Sequence, residues 1–220
     1  FLIFNTFSTL TADELKEIYI IEVGKLDVGS LSWNVDLDKN NYKISIILKD
    51  RGFLSGIYKF EGKYVADGLV INNNFVPKSY NQVWLTRNKK RDVKIFFHNG
   101  SLVKLKLSPK EIEHPRVQYI GIEDHSDPLT SFLNILMGKR ESKTIDGRRV
   151  YLMYVGENKI YEGIETKKIL IKNFVNIWAD HKRTDLEYIE ISQMLNKKLF
   201  TMPLIIKVKF KGIVFKLRKD

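Results

Sequence analysis

The chain has 220 residues, 44% of them hydrophobic, and a formal net charge of +11 at pH 7. This hydrophobic fraction is normal for a folded domain and excludes an intrinsically disordered chain. The absence of cysteine excludes disulfide bonds, thiolate catalysis and cysteine-ligated metals. No run of about 18 apolar residues is present, so the sequence predicts no membrane-spanning helix.

Residues 1–12 are apolar or small and are followed abruptly by the acidic pair Asp13-Glu14. This pattern is typical of the end of a secretory signal peptide, with Ala12 as the last residue removed. An ordinary first strand or a disordered leader is the alternative. We therefore expect 1–12 to be a signal-peptide remnant, 13–220 to form a single domain, and the protein to reside in the periplasm of a Gram-negative type of cell.

Most of the remaining chain alternates apolar and polar residues with the period of a β-strand. The residues Leu31, Trp33, Val35 and Leu37 alternate with polar neighbours in this way. The predicted strands are 31–37, 42–48, 53–66, 69–86, 92–98, 101–107, 149–156, 159–164, 168–176, 184–191 and a final pair after Pro203.

Turns are predicted where residues that tolerate a positive φ interrupt the alternation. Asn99-Gly100 favours a tight type I′ hairpin, and the flip of the apolar phase at Lys211-Gly212 indicates a turn or a bulge. A turn around 66–68 is predicted to join the strands 53–66 and 69–86. Residues 139–148 are polar and are interpreted as a connector between two halves of the sheet.

A helix is predicted between Asp127 and Gly138. Asp127 is suited to cap the first turn with its side chain, and Pro128 is suited to the first helical position. Gly138 favours a left-handed cap at the C-terminus. The spacing of Leu129, Phe132, Leu133 and Leu136 produces one apolar face, which we expect to pack against the sheet.

Five short motifs, taken in order, resemble a known family. They are the strand motif at 23–33, Asp127-Pro128-Leu129-Thr130-Ser131-Phe132, the Gly-Arg-Arg turn at 147–149, Met202-Pro203-Leu204 and Lys211-Gly212-Ile213. Their order and spacing over about 18–218 resemble the bacterial exported proteins of domain of unknown function 3108. The resemblance implies a mainly β fold: a strongly curved antiparallel sheet, an open half-barrel similar to envelope lipoprotein carriers, wrapped over one short helix.

A long curved sheet over one short helix would leave apolar space on its concave face. We therefore predict an envelope protein that binds a lipid-like or other hydrophobic ligand, without a cofactor or metal. A structural or protein-interaction domain with a filled core, which would bind an envelope protein partner, is the alternative. The predicted ligand-binding residues are Trp33, Tyr42, Phe60, Phe97, Leu129, Phe132, Leu133, Leu136 and Trp178, with Ile44 on the same face.

The charge does not by itself indicate nucleic-acid binding. The basic residues are spread over both halves of the chain and are mostly Lys, whereas Arg is favoured for contacts to bases. In 94–97 and 207–211, lysines alternate with apolar residues, so the two kinds of side chain lie on opposite faces of a strand. A site that stacks the bases of single-stranded nucleic acid needs aromatic and basic side chains on the same face. We predict no specific nucleic-acid partner, and a solvated basic surface that allows peripheral contact with a membrane.

Asp124 and His125 are the strongest catalytic candidates, because an adjacent acid and imidazole could serve a hydrolase. Asp127, the third polar residue of this cluster, is already explained as the helix cap. The remaining histidines, His98, His114 and His181, are scattered along the chain. No nucleophile elbow, phosphate loop or dinucleotide fingerprint is present, so we expect a protein that is not an enzyme.

Overall fold

The computed structural model describes residues 13–51, 59–178, 185–195 and 201–220. The predicted signal remnant, the beginning of the strand 53–66, residue 184 of the strand 184–191, and His181 lie outside these residues. The described residues form fourteen strands and one helix. The elements are β1 (Asp13–Val23), β2 (Leu26–Leu37), β3 (Asn41–Asp50), β4 (Phe60–Ile71), β5 (Asn74–Thr86), β6 (Lys90–His98), β7 (Ser101–Ser108), β8 (His125–Ser126), α1 (Pro128–Leu136), β9 (Glu141–Ile145), β10 (Arg149–Tyr161), β11 (Ile164–Asn176), β12 (Leu186–Met194), β13 (Ile205–Phe210) and β14 (Ile213–Lys219).

The strands form one sheet that is nearly closed into a barrel with one open seam. The strand order is β7-β6-β5-β4-β3-β2-β1-β14-β13-β12-β11-β10-β9-β8, and neighbours are antiparallel except for the short β8–β9 pair. The first and last strands of the chain meet in the centre of this order, where Tyr19 lies opposite Lys219. The prediction of a mainly β, strongly curved antiparallel sheet with one short helix is confirmed.

One phase of each strand points into the barrel and forms a continuous core. On three neighbouring strands Val35, Ile44 and Ala66 lie opposite one another and are fully buried. This is the expected result of period-two alternation, because successive side chains of a strand point to opposite faces. Among the described residues, no helix is long and apolar enough to cross a membrane.

The helix α1 begins and ends where the sequence predicts. The Asp127 carboxylate accepts hydrogen bonds from the backbone N–H groups of Leu129 (2.9 Å) and Thr130 (3.0 Å). Pro128 occupies the first turn, and Met137 caps the C-terminus. Gly138 follows with a φ of +107°, a conformation that glycine adopts without steric cost.

The helix is buried on all sides rather than along one apolar stripe. Its polar residues are satisfied by hydrogen bonds to the sheet: Thr130 to the Tyr42 hydroxyl (2.6 Å), and Ser131 as acceptor from Thr144 (2.8 Å). Asn134 pairs with both the N–H and the C=O of Phe75, at 2.9 Å each. The apolar face of the helix is buried as expected, and its polar residues are buried with it.

The predicted turn at 66–68 is wrong. The hairpin turns at Asn72-Asn73, which have φ values of 49° and 61°, a conformation that Asn tolerates better than most residues. Gly68 lies within β4, where an added Cβ would approach the Val76 carbonyl oxygen to 2.1 Å. This glycine therefore serves close strand packing rather than a turn.

The predicted strands 149–156 and 159–164 also need correction. The residues 149–161 form the single strand β10, and the chain turns at Glu162-Gly163, with φ values of 47° and 77°. The polar connector 139–148 contains the strand β9, which pairs with β10. The motif 23–33 is not a continuous strand, because Gly24-Lys25 forms the turn between β1 and β2.

Candidate functional site

The seam of the barrel is crossed by residues 109–124, here called the seam segment. Near one end of the barrel this segment pairs with β7: Leu102 N–H donates to Ile122 O (3.1 Å), and Gly121 N–H donates to Leu102 O (2.7 Å). The next two residues form β8, which pairs with β9 on the opposite side of the seam. The segment therefore connects the two free edges of the sheet at this end.

At the other end of the barrel the seam segment contacts the side opposite β7. Arg116 N–H donates to Ile177 O (2.7 Å), and Glu111 forms an ion pair with Arg148. The rings of Tyr119 and Trp178 pack against each other with their centroids 5.4 Å apart. A cavity lies between this part of the segment and the free edge of β7.

This seam cavity has a volume of about 640 Å³ and is open to solvent. Its apolar wall consists of Leu105 and Leu107 of β7 together with the rings of Tyr119 and Trp178. A volume of this size is within the usual range for small-molecule sites, which combine apolar walls with a few polar groups. The arrangement can therefore hold an apolar chain or ring beside the edge of the sheet.

Trp178 is fixed by the turn between β9 and β10. Its indole N–H donates to the Gly147 carbonyl (3.0 Å). The Asp146 carboxylate stabilises this turn by accepting from the N–H groups of Arg148 (2.9 Å) and Arg149 (2.7 Å) and from Arg149 Nε (2.9 Å). Burial lowers the pKa of Arg149, but the Asp146 carboxylate, together with Tyr151 and Asp185, outweighs burial, so that the pKa lies above its ordinary value.

Gly147 is required at this turn for two reasons. Its φ is +87°, and an added Cβ would approach Val93 Cγ1 to 2.5 Å. We expect Gly147→Ala to lower stability by about 2 to 4 kcal/mol, through left-handed strain and overpacking. Gly163→Ala is the control, because Gly163 has a φ of +77° and open space around it, so it should cost only about 1 kcal/mol. Equal denaturant midpoints for the two variants would contradict the close packing at Gly147.

The charged residues of the seam cavity are predominantly basic. Lys94, Lys106 and Lys110 lie at its rim together with Asp92 and Glu111. Asp92 Oδ2 lies 3.6 Å from Lys90 Nζ, and Glu111 is paired with Arg148. Both carboxylates of the cavity are thus engaged by other cations.

Most of the predicted ligand-binding residues are buried in the core of the barrel. Trp33 contacts Phe132 of the helix, with ring centroids 5.6 Å apart, so the helix fills the concave face at this point. Phe60 is half-buried and stacks on Trp84 (5.7 Å). Trp178 lines the seam cavity. The buried residues of the predicted set are Trp33, Tyr42, Ile44, Phe97, Leu129, Phe132, Leu133 and Leu136.

Sequence reasoning missed the other residues of the seam cavity. Leu105 and Leu107 are ordinary inward residues of a predicted strand, and Tyr119 lies in a segment without regular alternation. The pairing of Lys94 with Lys106 follows only from the register of β6 and β7. The Asn99-Gly100 turn alone would place Lys94 opposite Leu105, and it is the register shift between Phe96 and Phe97 that places Lys94 opposite Lys106.

The catalytic candidates lie next to the helix cap. His125 is half-buried in β8, and its Nδ1 lies 2.7 Å from the Glu123 carbonyl oxygen. Asp124 is exposed, with a φ of 57°. Within the part of the chain that the structure describes, no group of three or more His, Asp or Glu side chains could hold a metal ion.

Comparison with known proteins identifies the fold. No protein-family model matches the chain, and no curated protein matches it significantly, so the resemblance to domain of unknown function 3108 stays a prediction. A crystal structure of a β-barrel-like protein of domain of unknown function 1849 from Brucella abortus is similar, with a TM-score of 0.54 and 9% identity over 97% of this chain and 98% of that one. The protein therefore has a β-barrel-like fold in which the described strands are nearly closed around one helix.

Proposed function

We propose that this protein binds a lipid-like or other hydrophobic small molecule in the seam cavity, as a non-catalytic protein of the bacterial periplasm. The observation that carries this proposal is the cavity of about 640 Å³ with its apolar wall of Leu105, Leu107, Tyr119 and Trp178. The sequence features at 1–12 support export, and the similarity to a β-barrel-like protein of unknown function supports the fold alone.

The ligand is placed at the seam rather than on the concave face because the helix occupies that face. Leu133 and Ile135 of the helix are fully buried, and the core around them contains large side chains from most of the strands. A core of this kind is packed to the density of an organic crystal. The seam cavity, in contrast, opens to solvent and can be reached without unfolding the helix.

Binding of the uncharged probe N-phenyl-1-naphthylamine tests this proposal, because its fluorescence rises in apolar surroundings. We expect saturable binding, and a roughly tenfold loss of affinity in Leu107→Gln, because a polar amide replaces part of the apolar wall. Leu26→Gln is the matched control, since Leu26 is exposed at the start of β2 and lies outside the cavity lining. Absence of saturable binding, or equal affinity in both variants, would overturn the proposal.

A protein-interaction domain is the second candidate, supported by the tip of the β10–β11 hairpin. Tyr161 lies opposite Ile164, and Ile164 lies opposite Met194 on β12, so the three side chains share one face. All three are exposed. An exposed group of large apolar side chains is typical of an interaction surface. If the probe experiment shows no binding, that result favours this candidate.

A further inference from the structure

We propose that the seam cavity recognises an amphiphile with an acidic head, that is, an alkyl chain that ends in a carboxylate or a phosphate. Lys94, Lys106 and Lys110 bind the head, and the apolar wall binds the chain. This inference rests on the proposed function and adds the chemical class of the ligand to it. Lys suits both heads, because its ammonium group acts as a point charge rather than as a planar fork.

The arrangement of the lysines supports an anionic partner. Lys94 lies directly opposite Lys106 in the β6–β7 register, and like charges in directly opposite positions destabilise a sheet. Lys110 adds a third positive charge at the same rim. None of the three forms an ion pair with a carboxylate, as judged over the described ranges 13–51, 59–178, 185–195 and 201–220.

The acidic residues of the cavity do not compensate these charges. Asp92 is paired with Lys90, and Glu111 is paired with Arg148. Three positive charges without a protein counter-ion thus surround a cavity that contains an apolar wall. Because the lysines are exposed, their attraction for an anion is screened by salt, with a Debye length of about 10 Å at 0.1 M.

The free edge of β7 explains how one ligand contacts both kinds of side chain. Lys106 lies between Leu105 and Leu107, so its side chain points to the opposite face of the strand. Both faces border the same cavity, because the seam leaves this part of β7 at the edge of the sheet. When the alkyl chain lies on the leucine side of β7, its head group reaches past the edge of this strand to the other face and lies beside Lys94 and Lys106.

Displacement of N-phenyl-1-naphthylamine by decanoate and decyl phosphate, each below its critical micelle concentration, and by decanol below its solubility limit tests the inference. We expect both anions to bind at least tenfold more tightly than decanol at low salt, with the difference reduced at high salt. In the double variant Lys94→Gln/Lys106→Gln, this preference should fall by roughly tenfold while probe binding stays saturable and Tm is unchanged or rises slightly. Loss of a like-charge pair explains the direction of the Tm change.

The double variant Lys49→Gln/Lys63→Gln is the control, because it removes the same charge from exposed positions on β3 and β4. It should retain the preference for the anions. Equal affinity for decanoate and decanol, or equal losses in the two double variants, would overturn the acidic-head inference while probe binding still supports the cavity. Inorganic phosphate that competes as well as decyl phosphate would also overturn it, because the site would then recognise a free anion rather than an amphiphile.

Discussion

Asp127→Ala is expected to be about 3 kcal/mol less stable than Asp127→Asn, which corresponds to a Tm lower by about 6 to 12 °C in a chain of this size. Asp127 is fully buried, and its carboxylate accepts from two backbone N–H groups and from the Thr130 hydroxyl (2.5 Å). Alanine leaves these donors unpaired in the core. Asparagine keeps an acceptor for the N–H groups, and its amide can donate to Thr130, whose bond to Tyr42 allows either direction.

Both variants are neutral at this position, so their difference measures the cap without the buried charge. Thermal unfolding at pH 7 provides the comparison. Similar Tm values for the two variants would show that Asp127 does not hold the start of the helix.

The same residue makes stability depend on pH with a defined sign. Burial raises the pKa of Asp127 to about 6 from its ordinary 3.8, against the opposing effect of its hydrogen bonds. Between these values the folded protein binds a proton that the unfolded chain does not, so this contribution to stability increases as the pH falls from about 7 to 4. As the pH falls through this window, we expect the wild type to gain stability relative to Asp127→Asn. A loss of stability relative to Asp127→Asn would contradict the raised pKa.

Asn134→Leu is expected to lower the free energy of unfolding by about 2 to 5 kcal/mol, because two buried backbone groups of Phe75 lose their partners. Phe75 lies in the part of β5 beyond its pairing with β6, which begins at Ser79. The Asn134 amide takes the place of the missing strand by pairing with the N–H and the C=O of Phe75. Leucine preserves most of the volume, so the loss reports the hydrogen bonds rather than a cavity.

Asn158→Leu is the matched control, since Asn158 is exposed and bonds only to the Glu165 carboxylate (3.0 Å). Its replacement should change stability by less than about 0.5 kcal/mol. Denaturant unfolding of both variants measures the difference. A small loss in Asn134→Leu would mean that water replaces the amide at the edge of β5, and the helix would then not complete the sheet.

Features that depend on a few adjacent residues follow from the amino-acid sequence alone. The turn at Asn99-Gly100 has the predicted positive φ values, because few residues adopt that conformation easily. The flip of the apolar phase at Lys211-Gly212 coincides with the turn between β13 and β14. The helix between Asp127 and Gly138 follows for the same reason, since its caps are local hydrogen bonds and local φ values. The curved β architecture followed from the alternation and from the family resemblance together.

Features that depend on residues distant in sequence follow from the pairing of the strands in the folded protein. The polar residues 141–145 form β9 because β10 supplies their hydrogen bonds, and Thr130, Ser131 and Asn134 are buried because the sheet supplies theirs. Strand pairing of this kind overrides local polarity, since a buried polar group is stable once it is satisfied. The candidate site depends on such partners most of all: Leu105 and Lys106 of β7 are far from Trp178 in sequence, and they line the same cavity only because the barrel stops short of closing at its seam.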